Sequence, residues 1–123
     1  MAGRAAGLLL AMASTALATG TAAYVEFQEA HLVQGRAVWF ANCEGCHGYG
    51  IADAPIPMKP AQWEARIARG NAVLYEHALN GFFGPEDTEV PARGGNAALS
   101  DDEVRAAVDY MVALANYYIQ QGR

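Results

Sequence analysis

Cys43-Glu44-Gly45-Cys46-His47 is the stretch of this chain best equipped for chemistry. Two thiols three residues apart can each add to a vinyl group of haem, and an imidazole in the next position can reach the iron. This spacing is the signature of covalent haem attachment. A short, nearly helical loop would set both sulfurs along one edge of the porphyrin and direct His47 under its centre. Glu44 and Gly45 leave that arc unobstructed. The competing chemistries need more than the chain offers. A redox dithiol usually sits beside a strand-helix-strand pattern, which is missing here. Zinc would require two further ligands at suitable spacing, and the other histidines, His31 and His77, belong to no paired motif. A disulfide across so small a loop would add little to the fold. The expected cofactor is one covalent haem c, with His47 as an axial ligand of its iron.

Such a centre is assembled outside the bacterial cytoplasm, and the start of the chain agrees. Met1-Ala2-Gly3-Arg4 is positively charged, Ala5 to Ala18 is apolar around Leu8-Leu9-Leu10, and small residues follow at Ala16-Leu17-Ala18 and Thr21-Ala22-Ala23. Residues 1–23 are expected to be a secretory signal and 24–123 a single domain. An uncleaved anchor is the competing reading, but Ser14 and Thr15 break an apolar run already short of the roughly 20 residues of a membrane span. The protein is therefore expected in the periplasm, with no stable membrane span after signal removal. Both cysteines are assigned to haem, which leaves no thiol for a disulfide. A net charge of −5, more negative without Arg4, excludes a nucleic-acid binder, which needs basic patches.

Helices must position the motif. Leu32, Val33, Gly35, Val38, Trp39 and Phe40 give an apolar side to a helix over about 29–42 that runs into Cys43. Gly35 weakens that helix by roughly 1 kcal/mol relative to alanine, which points to a close helix crossing. Residues 48–60, with three prolines and two glycines, predict a constrained loop around the haem edge. A short helix over 61–69 carries Trp63 and Ile67; Asn71 is a plausible cap for a third helix through Leu79, with Gly81 as its stop. Residues 82–99 read as loop. Ser100 with Glu103 is a capping box, and Asp101 and Asp102 suit the positive end of the helix dipole. The last helix runs to about Tyr118 with Val104, Val108, Met111, Ala115 and Tyr118 as one buried stripe and Tyr110 beside it. No strand and no internal repeat is expected, so the domain is all-α.

Gly35 and Trp39 entering Cys43-x-x-Cys46-His47, a proline-containing loop, Val90-Pro91-Ala92-Arg93-Gly94-Gly95 and Ala107-Val108-Asp109-Tyr110-Met111 together resemble a class I cytochrome c. The resemblance is closest to the small bacterial branch typified by cytochrome c-five and covers roughly Gln28 to Leu114. It implies about four helices wrapped around one covalently bound haem, with Gly35 and Trp39 crossing against Tyr110. It also implies that a proline carbonyl, here Pro55, accepts the ring N–H of His47 and so fixes its tautomer.

One position departs from that family. Its sixth iron ligand is a methionine in a Met-Pro-x-x-Gly-Gly stretch, and here Val90 stands in its place. Met58, His77 and His31 are the alternatives, together with an open or water-filled site; Met111 suits core packing better than ligation. The main reading is a monohaem carrier that exchanges single electrons with a larger redox partner. A second is a gas-binding or peroxide-reactive protein with an open distal site, for which Arg93 and His77 are the only evident acid/base groups. A third is a haem subunit of an oxidoreductase complex. Glu86-Asp87-Thr88-Glu89 reads as a solvated loop with scope to steer a basic partner, and Tyr117 and Tyr118 as helix packing with scope for docking.

Overall fold

A computed structural model describes residues 20–122. The expected signal segment, as far as Thr19, lies outside the described residues. Five helices follow in order: α1 (Ala30–Asn42), α2 (Glu44–His47), α3 (Glu64–Ala68), α4 (Asn71–Asn80) and α5 (Asp101–Gln121). Short 3-10 turns join them. Two strands of two residues each, β1 (Phe82–Phe83) and β2 (Glu89–Val90), pair antiparallel with Phe82 opposite Val90. This miniature ladder corrects the expectation of no strand, and it has a local cause. Gly84 N–H reaches the Thr88 carbonyl at 2.8 Å and closes the intervening loop, which brings the residues on either side into register.

The frame is the crossing of α1 over α5. At Gly35 a Cβ would lie 2.0 Å from the Ala106 carbonyl oxygen, so the two backbones touch where only hydrogen fits. Trp39 and Tyr110 meet at the crossing with ring centroids 5.6 Å apart, and both are fully buried. Burying a large apolar side chain contributes about 1.5–3 kcal/mol, so these rings and Leu114 anchor the first core cluster with Tyr24, Val38 and Ala107. A second cluster joins Trp63 to Val108, Val112, Ala115 and Ile119 of α5, with Met111 packed against both. Helix α5 is thus buried over more than the expected single stripe, because α1 covers one side of it and α4 another.

Caps follow the sequence at one helix and not at another. Ser100 Oγ accepts from Glu103 N–H at 3.1 Å, while the Glu103 carboxylate accepts from Ser100 N–H at 3.1 Å. The helix runs on to Gln121, one turn beyond the expected Tyr118. Asn71, by contrast, is the first residue inside α4 rather than its cap. Its side chain instead donates to Asp109 at 3.1 Å, and the Tyr75 hydroxyl donates to the same carboxylate, so α4 is tied sideways to α5.

Four tyrosines turn this packing into a pH dependence. Burial raises the pKa of Tyr24, Tyr75, Tyr110 and Tyr118 above the ordinary value of about 10. Groups whose folded-state pKa lies above the unfolded one stabilise fully below the unfolded value, and that stability is lost as pH rises through the folded value. The thermal midpoint is expected to hold steady up to about pH 9 and fall beyond about pH 10. In Tyr110→Phe the alkaline fall becomes shallower, while loss of the 3.0 Å bond to the Val25 carbonyl costs about 1 kcal/mol at neutral pH. An equal slope in the variant and the wild type would refute this account.

Candidate functional site

Helix α1 delivers Cys43 at its C-terminal end, and α2 turns once through Glu44–His47. The His47 N–H bonds to the Cys43 carbonyl at 3.0 Å, which holds the two cysteines and the imidazole on one helical arc. Tyr24 braces that arc from outside: its hydroxyl donates to Glu44 at 2.9 Å while its ring packs edge-on against Trp39, centroids 4.9 Å apart. Glu44 is thus a clamp for the N-terminal segment as well as a spacer. Both thiols are free, Cys46 exposed and Cys43 half-buried. Burial pushes the Cys43 thiol up to about 11, so in the folded chain it stays protonated at neutral pH.

His47 Nδ1 lies 2.9 Å from the Pro55 carbonyl. A carbonyl only accepts, so Nδ1 carries the proton and Nε2 keeps its lone pair for a metal. Burial lowers the His47 pKa against the opposing effect of that bond, and the nearby Arg66 guanidinium lowers it further. The neutral ring is the form that coordinates iron.

Cys43, Cys46, His47 and Pro55 all line one cavity of about 500 Å³. Helix α2 packs on α1 and on the Ile51–Asp53 turn, whereas α4 packs on α5 and on the Ala92–Gly95 turn. The cavity is therefore reached from separate parts of the fold: His47 from the first, and Leu74, His77, Phe82 and Val90 from the second. The Ala92–Gly95 turn is fastened to the end of α1. Asn96 donates to the Asn42 side chain at 2.9 Å, and Gly94, at φ +61°, sits where a Cβ would fall 2.9 Å from the Asn42 carbonyl oxygen.

Trp63 tests whether a haem fits. It is 2% exposed, lines the cavity, and its indole N–H has no acceptor among the described residues. Leaving a buried donor unsatisfied costs about 1–3 kcal/mol. A propionate of a haem held between the cysteines would be such an acceptor, and Arg66 and Arg69 line the same cavity with positive charge. The residues present fit the group. The sequence offered Trp63 only as an apolar residue of a short helix; an indole one loop beyond the Cys-x-x-Cys-His stretch was the available signal.

The other expected site residues separate. Met58 is not among the residues that line the cavity and packs against the core cluster of Trp39 and Tyr110. His31 is exposed at the start of α1 and is likewise outside the cavity. Arg93 lines it, but the guanidinium donates to the Leu99 carbonyl at 2.9 Å and to Asp101 at 2.6 Å, so it fastens the loop to the start of α5. That ion pair holds the Asp101 carboxyl below the usual carboxylate range. An arginine engaged in this way is a poor acid/base group for peroxide chemistry. Among the described residues no three His, Cys, Asp or Glu side chains gather to hold a metal ion on their own.

Helices folded over a cavity, with a Cys-x-x-Cys-His arc in its wall and the unpartnered indole of Trp63 among its lining residues, define a protein built around one covalently attached haem. The comparisons make that class specific. A family model described as cytochrome C oxidase, cbb3-type, subunit III, matches residues 30–111, and the chain belongs to that family of c-type cytochromes. It is 37% identical over 90 residues to cytochrome c-555 of Prosthecochloris aestuarii, covering 71% of this chain and 91% of that one. It is 41% identical over 78 residues to cytochrome c-555 of Chlorobaculum tepidum, covering 63% and 71%. With cytochrome c5 of Azotobacter vinelandii it shares 35% over 74 residues, covering 58% and 83%. The chain is a small class I c-type cytochrome with covalently bound haem c, an electron carrier and not an enzyme.

Proposed function

We propose that the protein is a periplasmic carrier that passes single electrons to or from a larger redox partner, with thioether links at Cys43 and Cys46 and His47 as the proximal iron ligand. The observation that carries the reading is the 2.9 Å contact between His47 Nδ1 and the Pro55 carbonyl, which puts the proton on Nδ1 and leaves Nε2 its lone pair, on a residue that lines the cavity. When bound, the haem supplies a one-electron couple. The chain's part is to fix the imidazole, keep water from the iron with the apolar walls of Trp63, Leu74 and Val108, and accept the propionate charge near Trp63, Arg66 and Arg69.

Location and partner follow from the chain's chemistry. The signal-like start supports export, and no described helix is long and apolar enough to cross a membrane. The packing of Ala23 on the core and the 2.7 Å bond from the Tyr118 hydroxyl to its carbonyl support processing at Ala16-Leu17-Ala18 rather than after Ala23. At the cavity wall Ile51 is an exposed apolar residue, with Asp53 and Glu89 exposed nearby in the same lining. An apolar contact with an acidic surround, on a chain of net charge −5, suits a partner with a basic docking face.

The test is to express the full chain in a bacterium able to attach haem c, then fractionate the cells. The expected product is periplasmic, has a mass greater by one haem, and shows the thioether-type pyridine spectrum and a single one-electron reduction wave. A haem-free mass would overturn the centre. Cytoplasmic retention of the haem protein would overturn only the location.

A further inference from the structure

The cavity holds few side chains able to give the iron a second axial bond, and most are already engaged. The Met111 sulfur accepts from the Trp39 indole N–H at 3.3 Å, and Met111 is packed between the two core clusters. Asn42 spends its amide on Val38 and Asn96. The Thr88 hydroxyl donates to the Pro85 carbonyl at 2.8 Å. Asp53 and Glu89 are exposed at the surface. Val90 presents hydrocarbon alone.

His77 differs from all of these. It lines the cavity from the last turns of α4, is half-buried, and neither ring nitrogen has a hydrogen-bond partner among the described residues. Its ring lies flat on Phe82, centroids 3.8 Å apart and planes 17° from parallel. Phe82 is held in turn by its pairing with Val90. Stacking fixes the plane of an imidazole by its face and leaves the edge that carries the nitrogens unused. That edge carries no protein partner among the described residues, so it is available to a group bound in the cavity.

We propose that His77 is the sixth ligand of the haem iron, one ring nitrogen giving its lone pair to the metal while the other keeps its proton. The inference rests on the haem centre proposed above, with His47 on the other axial position. Two imidazoles make the iron low-spin in both oxidation states and set a lower potential than an imidazole with a thioether. Val90 and Phe82 then form an apolar back wall that shields the second imidazole from water.

The experiment uses the purified haem-loaded protein. Pyridine spectra and mass first establish that haem is attached. The ferric protein at neutral pH is expected to be low-spin by electron paramagnetic resonance, without the near-infrared thioether-to-iron band. His77→Ala is expected to become predominantly high-spin, and added imidazole to restore the low-spin signal. His77→Met keeps the side-chain bulk and is expected to gain the thioether band and a higher potential. Should His77→Ala fail to accumulate, the methionine variant decides. A high-spin wild-type protein, or variants with unchanged low-spin spectra, would overturn the assignment of His77 and leave the haem centre standing. A wild-type protein without haem would overturn the centre itself.

Discussion

Gly35→Ala is expected to lower the thermal midpoint of the haem-loaded protein by about 12 °C or more. The new methyl would sit 2.0 Å from the Ala106 carbonyl oxygen, 2.6 Å from its carbon and 3.1 Å from Tyr110 Cβ. The first two neighbours are backbone atoms of α5, so no side chain can swing aside, and the helices must separate. Separation withdraws Trp39 from Tyr110 and loosens the Met111 sulfur from the Trp39 indole. Overpacking with backbone displacement costs typically 1–3 kcal/mol and more where nothing yields, and a domain of this size loses about 4 °C or more for each. Alanine is the better helix former by about 1 kcal/mol, so helix propensity alone predicts a rise. A calorimetric midpoint within a degree or two of wild type would mean that the crossing is looser than the contact distances require.

Gly35 also shows what in this fold was legible from the chain. A glycine in the middle of an apolar-sided helix calls for a reason, and a close crossing is the one the structure shows. The capping box at Ser100 and the Cys-x-x-Cys-His arc were legible for the same reason: each is a local pattern whose chemistry is complete within a few residues. What was not legible depends on distant partners. Asn71 carries a cap residue's side chain, yet it is spent on Asp109 of the facing helix α5, a carboxylate that Tyr75 of its own helix also bonds. The β1–β2 pair is too short for any period to register. At the site, Met58 and His77 were both left open as ligands by the sequence; the packing of Met58 against the Trp39 cluster and of His77 on Phe82 appears only in the structure. The sequence carried the Trp63 indole one loop beyond the Cys-x-x-Cys-His stretch, but only the structure shows that its N–H has no acceptor among the described residues.

The second large effect is expected at His47. With His47 as the proposed proximal ligand, His47→Ala should retain covalent haem through Cys43 and Cys46 while the iron loses that imidazole, so the ferric protein turns high-spin and the midpoint drops by about 10 °C or more. Two contributions add. The side chain gives up a half-buried bond to Pro55, worth about 1 kcal/mol, and the chain loses the coordinate bond that links haem binding to folding. Pro55→Ala is the informative contrast. The acceptor is a backbone carbonyl that alanine also has, so His47 Nδ1 keeps its partner and the iron keeps its ligand. That variant is expected to stay low-spin and to lose no more than about 1 kcal/mol, through a more flexible unfolded chain. Equal damage from both substitutions would show that the loop's rigidity, and not the bond from Nδ1, orients the imidazole. An undisturbed spectrum in His47→Ala would remove His47 from the iron altogether.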